Sequence, residues 1–155
     1  MRLSTKSRYG LRALFDIAYN CGMQPAQIQD ISRRQHISPR YLEQIFQGLK
    51  RAGILKSKRG PQGGYYLARQ PEQITLREII NATEGESLFT ECIIDSKKKR
   101  KSCEFEGCCL TQVIWQDAQR IIDEHFSSIT LKDLCEKGQE LGIKREQDHR
   151  FMYFI

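Results

Sequence analysis

The sequence predicts a mainly α fold with a small β-hairpin wing, a winged helix-turn-helix plus a long dimerisation helix. Three observations point there: a Ser-Pro helix start just after a short helix, a glycine-rich turn between two extended runs, and a late amphipathic run from Leu110.

In chain order, Ser4 or Thr5 can cap a first helix running to about Asn20, because a hydroxyl accepts from the unpaired N–H groups of a helix start. Tyr9, Leu14, Ile17 and Ala18, with Leu11 and Phe15 alongside, recur at helical spacing, and Cys21-Gly22 ends the run. Gln27 to Gln35 reads as a second helix with Ile28 and Ile31 inward. A tight His36-Ile37 connection then leads to Ser38-Pro39, an N-cap followed by the proline that suits a first helical position. The third helix, Pro39 to Arg51, has Leu42, Ile45, Phe46 and Leu49 on one stripe, leaving Arg40, Glu43, Gln44, Gln47, Lys50 and Arg51 outside. Gly53 stops it. Ile54 to Lys58 and Tyr65 to Leu67 read as strands joined by the turn Arg59-Gly60-Pro61-Gln62-Gly63-Gly64.

Thr75 and Glu78 have capping-box spacing for a helix Leu76 to Thr83. Gly85 to Cys108 shows no sustained periodicity, carries the basic run Lys97 to Lys101, and reads as an exposed loop. From Leu110 to about Phe126, Val113, Ile114, Ile121 and Ile122, with Trp115, Ala118 and Phe126, suit a long helix. One small domain cannot cover that stripe, so a partner chain is its natural cover. Thr130 caps a short helix Leu131 to Lys137, Lys144 to Arg150 resembles a linker, and the apolar end Phe151 to Ile155 has no evident role. The organisation expected is a winged helix over 1–84, a cysteine loop over 85–109, dimerisation helices over 110–137 and a tail over 138–155.

The chain has 155 residues with 39% apolar content, enough for an ordinary core. Its charge is lopsided: residues 1–70 hold thirteen Lys and Arg against three Asp and Glu, a net +10, and residues 71–155 hold twelve against sixteen, a net −4. A basic lobe is what phosphate-backbone binding needs, because Lys and Arg displace condensed counterions. Neither an eighteen-residue apolar span nor a secretory leader is seen, so the expectation is a cytoplasmic chain with no membrane partner. In that compartment the clustering of the six cysteines (21, 92, 103, 108, 109 and 135) points to metal or redox chemistry rather than disulfides.

Four motifs, in order, carry a resemblance. They are Met1-Arg2-Leu3-Ser4-Thr5-Lys6-Ser7-Arg8-Tyr9-Gly10, Ser38-Pro39-Arg40-Tyr41-Leu42-Glu43-Gln44-Ile45-Phe46, Arg59-Gly60-Pro61-Gln62-Gly63-Gly64-Tyr65 and Cys109-Leu110-Thr111-Gln112-Val113-Ile114-Trp115. Over residues 1 to about 137 the chain resembles the Rrf-type bacterial winged-helix repressors, which include the iron-sulfur cluster regulator IscR and the nitric-oxide sensor NsrR. The resemblance implies a homodimer on a pseudo-palindromic double-stranded DNA operator, with three loop cysteines holding an iron-sulfur cluster.

The residues can be set against each part of that expectation. A recognition helix reads base edges in the major groove with amide and charged side chains, and Arg40, Glu43, Gln44 and Gln47 are suitably placed. In the resembled family a glutamate at the Glu43 position helps discriminate operator classes. Arg59 at the wing tip suits a narrow minor groove, with Gly60, Gly63 and Gly64 allowing close backbone approach. Ser38, Tyr41, Lys50, Lys56 and Lys58 suit phosphates, hence affinity and register.

Cys92-x10-Cys103-x5-Cys109 puts three thiolates on one loop, as iron-sulfur ligation requires. The second gap matches the IscR spacing; the first is lengthened by the basic insert. The histidine ligand of IscR falls at Gln112 here and the aspartate ligand of NsrR at Arg8, so neither known fourth ligand transfers. Cys108, Glu104 and Glu106 stand as local candidates, and both 2Fe–2S and 4Fe–4S clusters are open. Cys21 and Cys135 read as small buried hydrophobes. A thiol-disulfide or zinc switch is the near rival, with Cys108-Cys109 as exchangeable thiols. A small redox protein or a protein-binding adaptor is more distant, and no phosphate loop, Cys-x-x-Cys or Ser/His/Asp constellation suggests an enzyme.

Overall fold

A computed structural model of the chain describes residues 3–85, 105 and 108–146. The elements are α1 (Thr5–Cys21), α2 (Ile28–Gln35), α3 (Pro39–Arg51), β1 (Leu55–Lys58), β2 (Gly64–Leu67), a 3-10 turn at Pro71–Gln73, α4 (Leu76–Glu84), α5 (Leu110–Ser127) and α6 (Leu131–Glu140). This is the winged helix-turn-helix and long helix that the sequence predicts.

The local chemistry of each start and stop is visible. The Ser4 side chain accepts from the Ser7 N–H, the Ser38 side chain from the Tyr41 N–H with Pro39 beside it, and Thr75 forms the capping box with Glu78. Between α2 and α3 the chain reverses at His36, which takes a left-handed conformation (φ 54°, ψ 45°) and so ends α2 within one residue.

Among the described residues an apolar cluster holds these elements. Ala13, Leu14 and Ile17 of α1 meet Ile31, the α3 stripe Leu42, Ile45, Phe46 and Leu49, then Ile54, Leu55 and Leu67 of the wing, Ile79 of α4 and Leu131 of α6. Within this largely apolar interior, Asp16 is only 1% exposed. It accepts from Arg34 Nε (2.9 Å) and Nη2 (2.7 Å) and from Gln35 Nε2 (2.9 Å), while Arg12 donates to the Gln35 carbonyl (2.6 Å). Burial alone would lower the Arg34 pKa; the Asp16 hydrogen bonds and charge outweigh it and raise it. The helix-turn-helix is therefore bolted to α1 by a buried charge pair as well as by packing.

The wing strands pair antiparallel, from Leu55 opposite Leu67 to Lys58 opposite Gly64. Ala26 adds a third rung: its N–H donates to Tyr65 O and its carbonyl accepts from Tyr65 N–H, both at 2.8 Å. That approach requires glycine at position 64, where φ is +151° and an added Cβ would stand 2.2 Å from Ala26 O. Gly64→Ala is expected to break the rung, losing two hydrogen bonds worth about 0.5–1.5 kcal/mol each and adding roughly 1–3 kcal/mol of strain, read as a fall in thermal midpoint.

Two features of the second half lie beyond the sequence reading. α6 extends to Glu140 and folds back on α1, so closely that a Cβ at Gly138 would meet the Phe15 ring at 2.9 Å. The run beginning at Lys144, which reads as a linker, lies against α1 and α2 as far as Glu146. Tyr19 Oη donates to Ile143 O (2.6 Å), the Glu146 N–H to Asn20 Oδ1 (2.9 Å), Glu146 pairs with Arg33, and Arg145 stands 4.8 Å from the Tyr19 ring centre. The described start of that polar run thus has partners on α1 and α2, and residues 147–155 lie outside the described residues.

α5 stands apart. Leu110, Val113, Ile114, Trp115 and Ile121 are 41–80% exposed. Its far end is tied down: Arg77 of α4 pairs with Asp123 (2.7 Å), Leu76 N–H donates to Ile129 O, and Leu131 N–H to Ile74 O, both at 2.8 Å. Among the described residues, no helix is long and apolar enough to cross a membrane.

Candidate nucleic-acid interface and cysteine site

Burial of the α3 stripe places Arg40, Glu43, Gln44, Gln47, Lys50 and Arg51 all on its exposed side. Under them the Phe46 ring lies 4.7 Å from that of Tyr65, and Lys50 Nζ donates to Ser57 Oγ (2.8 Å), so helix and wing are held as one unit. Lys56, Lys58, Arg59 and Gly60 are exposed on the wing, with Gly60 at φ +108°. The structure thus brings together the base-reading and phosphate candidates.

Three of those candidates carry structural duties too. Ser38 caps α3, Tyr41 is half-buried edge-on to Tyr9 at 6.0 Å, and Lys50 is held by Ser57.

The cysteine site is described in part. Cys92, Cys103, Glu104, Glu106 and Lys97 to Lys101 lie outside the described residues. Cys108 is exposed and Cys109 half-exposed as the N-cap of α5. Cys109 Sγ lies 3.1 Å from Thr111 Oγ1. The Thr111 hydroxyl foremost, then the Gln112 N–H, holds the Cys109 thiol below its ordinary pKa, although no cap hydrogen bond closes on the sulfur. Cys135, half-buried on α6, is pushed the opposite way by burial. Among the described residues, no three His, Cys, Asp or Glu side chains converge as a metal cage. The described donors nonetheless suit one edge of an iron-sulfur site: accessible thiols, one of them at a helix start that favours an anionic sulfur.

Sequence reasoning missed Glu84, the last residue of α4 before the cysteine loop. Its carboxylate accepts from Ser4 N–H (2.6 Å) and from the Ser7 hydroxyl, which also bonds Thr83 Oγ1 (2.7 Å). Burial pushes the Glu84 pKa up, but the Ser4 and Ser7 hydrogen bonds pull it further down, below the ordinary value. A depressed folded-state pKa stabilises the fold above the unfolded carboxylate pKa, and that contribution is lost as pH falls through the folded value. The stability gap between wild type and Glu84→Gln is therefore expected to be full at neutral pH and to shrink below about pH 4, measured by urea melts across pH.

A winged helix with basic and amide side chains along its third helix and wing defines a class, the DNA-binding regulators. The comparisons with known proteins narrow it: residues 3–137 match the Rrf2 family, described as iron-dependent transcriptional regulators, and the chain belongs to that family. A Haemophilus influenzae protein assigned as an HTH-type transcriptional regulator is 41% identical over 150 residues, spanning 97% of this chain and 94% of its own. The HTH-type transcriptional regulator IscR of Sodalis glossinidius is 36% identical over 149 residues, spanning 96% and 87%. The solved structure of T. potens IscR superposes with a TM-score of 0.72 at 34% identity, covering 99% of this chain and 97% of that one. The protein is thus a DNA-binding transcriptional regulator of the Rrf2 family, and these relatives are regulators rather than enzymes.

Proposed function

We propose that the protein is a homodimeric repressor whose affinity for a pseudo-palindromic operator is modulated by an iron-sulfur cluster on Cys92, Cys103 and Cys109. The supporting observation is the arrangement of α5. It begins at Cys109, exposes an apolar row suited to a second copy, and is fastened to the winged helix at Asp123 and Ile129. A change at the cysteine loop can therefore reach the spacing of two recognition helices through one rigid element. Regulation requires that DNA bind the two states with different affinity.

In this reading the chain divides into a winged helix (1–84), a cysteine loop (85–109), dimerisation helices (110–137) and a tail (138–155). Arg40, Glu43, Gln44 and Gln47 read bases, Arg59 and Gly60 approach the minor groove, and Ser38, Tyr41, Lys50 and Lys58 face phosphates. When bound, the cluster would supply a centre that responds to iron, oxygen, nitric oxide or cluster demand. Cys108, Glu104 or Glu106 completes the ligand set.

Selection from a random pool of duplexes tests the operator: a two-fold related consensus is expected, and recovery of unrelated sequences would contradict it. Glu43→Ala is expected to relax choice at one base pair per half-site, a loss of about 1–3 kcal/mol of discrimination with non-specific affinity retained, read by competition binding. The adjacent Cys108 and Cys109, both free and solvent-accessible, favour a thiol-exchange switch as the second reading. Iron and acid-labile sulfide on anaerobically purified protein separate the two.

A further inference from the structure

We infer that Thr111 is the positioning residue for the Cys109 sulfur, and that its hydroxyl sets the electronic character of the cluster that Cys109 holds. The inference rests on the cluster reading above. Thr111 Oγ1 stands 3.1 Å from Cys109 Sγ across the first turn of α5. In the free thiol either atom can donate. A metal-bound cysteine sulfur carries no proton, so there the Thr111 hydroxyl must be the donor.

The Gln112 N–H, which donates to the Cys109 carbonyl at 3.1 Å, also faces the sulfur, and the Thr111 hydroxyl is the side-chain donor that joins it there. Thr111 is β-branched within a helix, so few χ1 rotamers are open to it and the hydroxyl is held in place at low entropic cost. A hydrogen bond to a ligating sulfur withdraws electron density from it and stabilises the reduced cluster, which raises the reduction potential. A threonine two residues beyond the last cysteine thereby becomes a setting for how readily the sensor changes state.

The test compares wild type, Thr111→Val, which keeps the shape and removes the hydroxyl, and Thr111→Ser, which keeps the hydroxyl. Each is purified without oxygen and measured for iron, sulfide, circular dichroism, reduction potential and the iron–sulfur stretching bands by resonance Raman. The expected result is equal folding in all three, a more negative potential and shifted stretching bands in the valine variant, and wild-type values in the serine variant. Loss of the cluster from the valine variant alone, with the fold intact, also supports the hydroxyl's role. A valine variant with full iron and wild-type potential and bands would overturn the inference while leaving the cluster reading in place. Equal disturbance in the valine and serine variants would assign the effect to packing and overturn it as well. Wild-type protein that takes up no iron or sulfide under reconstitution would overturn the cluster reading, and the inference with it.

Discussion

Asp16→Ala is expected to destabilise the protein by about 3–5 kcal/mol, the usual cost of leaving one partner of a buried ion pair without its counter-charge. Asp16 is 1% exposed and the Arg34 side chain 10%, so water replaces the lost carboxylate at the guanidinium only in part. Gln35 loses its carboxylate partner in the same stroke. The measurement is a urea melt, with a lowered midpoint and an unchanged slope. The double variant Asp16→Leu, Arg34→Met should recover most of the loss, because a well-packed apolar pair often matches a buried ion pair in stability. If Asp16→Ala cost less than about 1 kcal/mol, the pair would not be the bolt between α1 and α2.

Operator affinity is expected to fall linearly on logarithmic axes as salt rises. A dimer that neutralises roughly six to ten phosphates loses about 10³–10⁵-fold between about 50 and 200 mM salt. The lopsided charge of the chain, with its basic first half, motivates the steepness. Lys56→Ala with Lys58→Ala should weaken specific and non-specific duplexes alike and flatten the slope by about one for each phosphate no longer neutralised. A shallow slope in the wild type would instead fit the protein-binding adaptor. Weakening confined to one sequence would move these lysines from phosphates to bases.

Much of the winged helix was legible because its boundaries are written locally. Ser38-Pro39 starts α3, Gly53 follows its end, the Thr75 and Glu78 pair starts α4, and strict helical spacing of Leu42, Ile45, Phe46 and Leu49 fixes which face of α3 is out. What was not legible depends on distant pairings. Glu84 reads as an ordinary polar helix end until Ser4 and Ser7, some eighty residues earlier, meet its carboxylate. Lys144 to Glu146 reads as an unattached linker until Tyr19, Asn20 and Arg33 meet Arg145 and Glu146, which stay exposed. Thr111 reads as one more first-turn residue, and only side-chain geometry brings its hydroxyl to Cys109. Cys109 itself was marked by its spacing from Cys103. Cys92 and Cys103 lie outside the described residues.

Cluster gating stands or falls on one comparison, made on a single anaerobic preparation. Iron and acid-labile sulfide are measured, and the affinity for one selected operator duplex is then taken before and after the metal is stripped, at fixed salt. The expected result is near-stoichiometric iron and sulfide, and an operator affinity that changes on stripping and is reproduced by the Cys92, Cys103 and Cys109 to Ala triple variant. A colourless, iron-free protein that resists reconstitution, or a loaded protein whose operator affinity is the same after stripping, would contradict it.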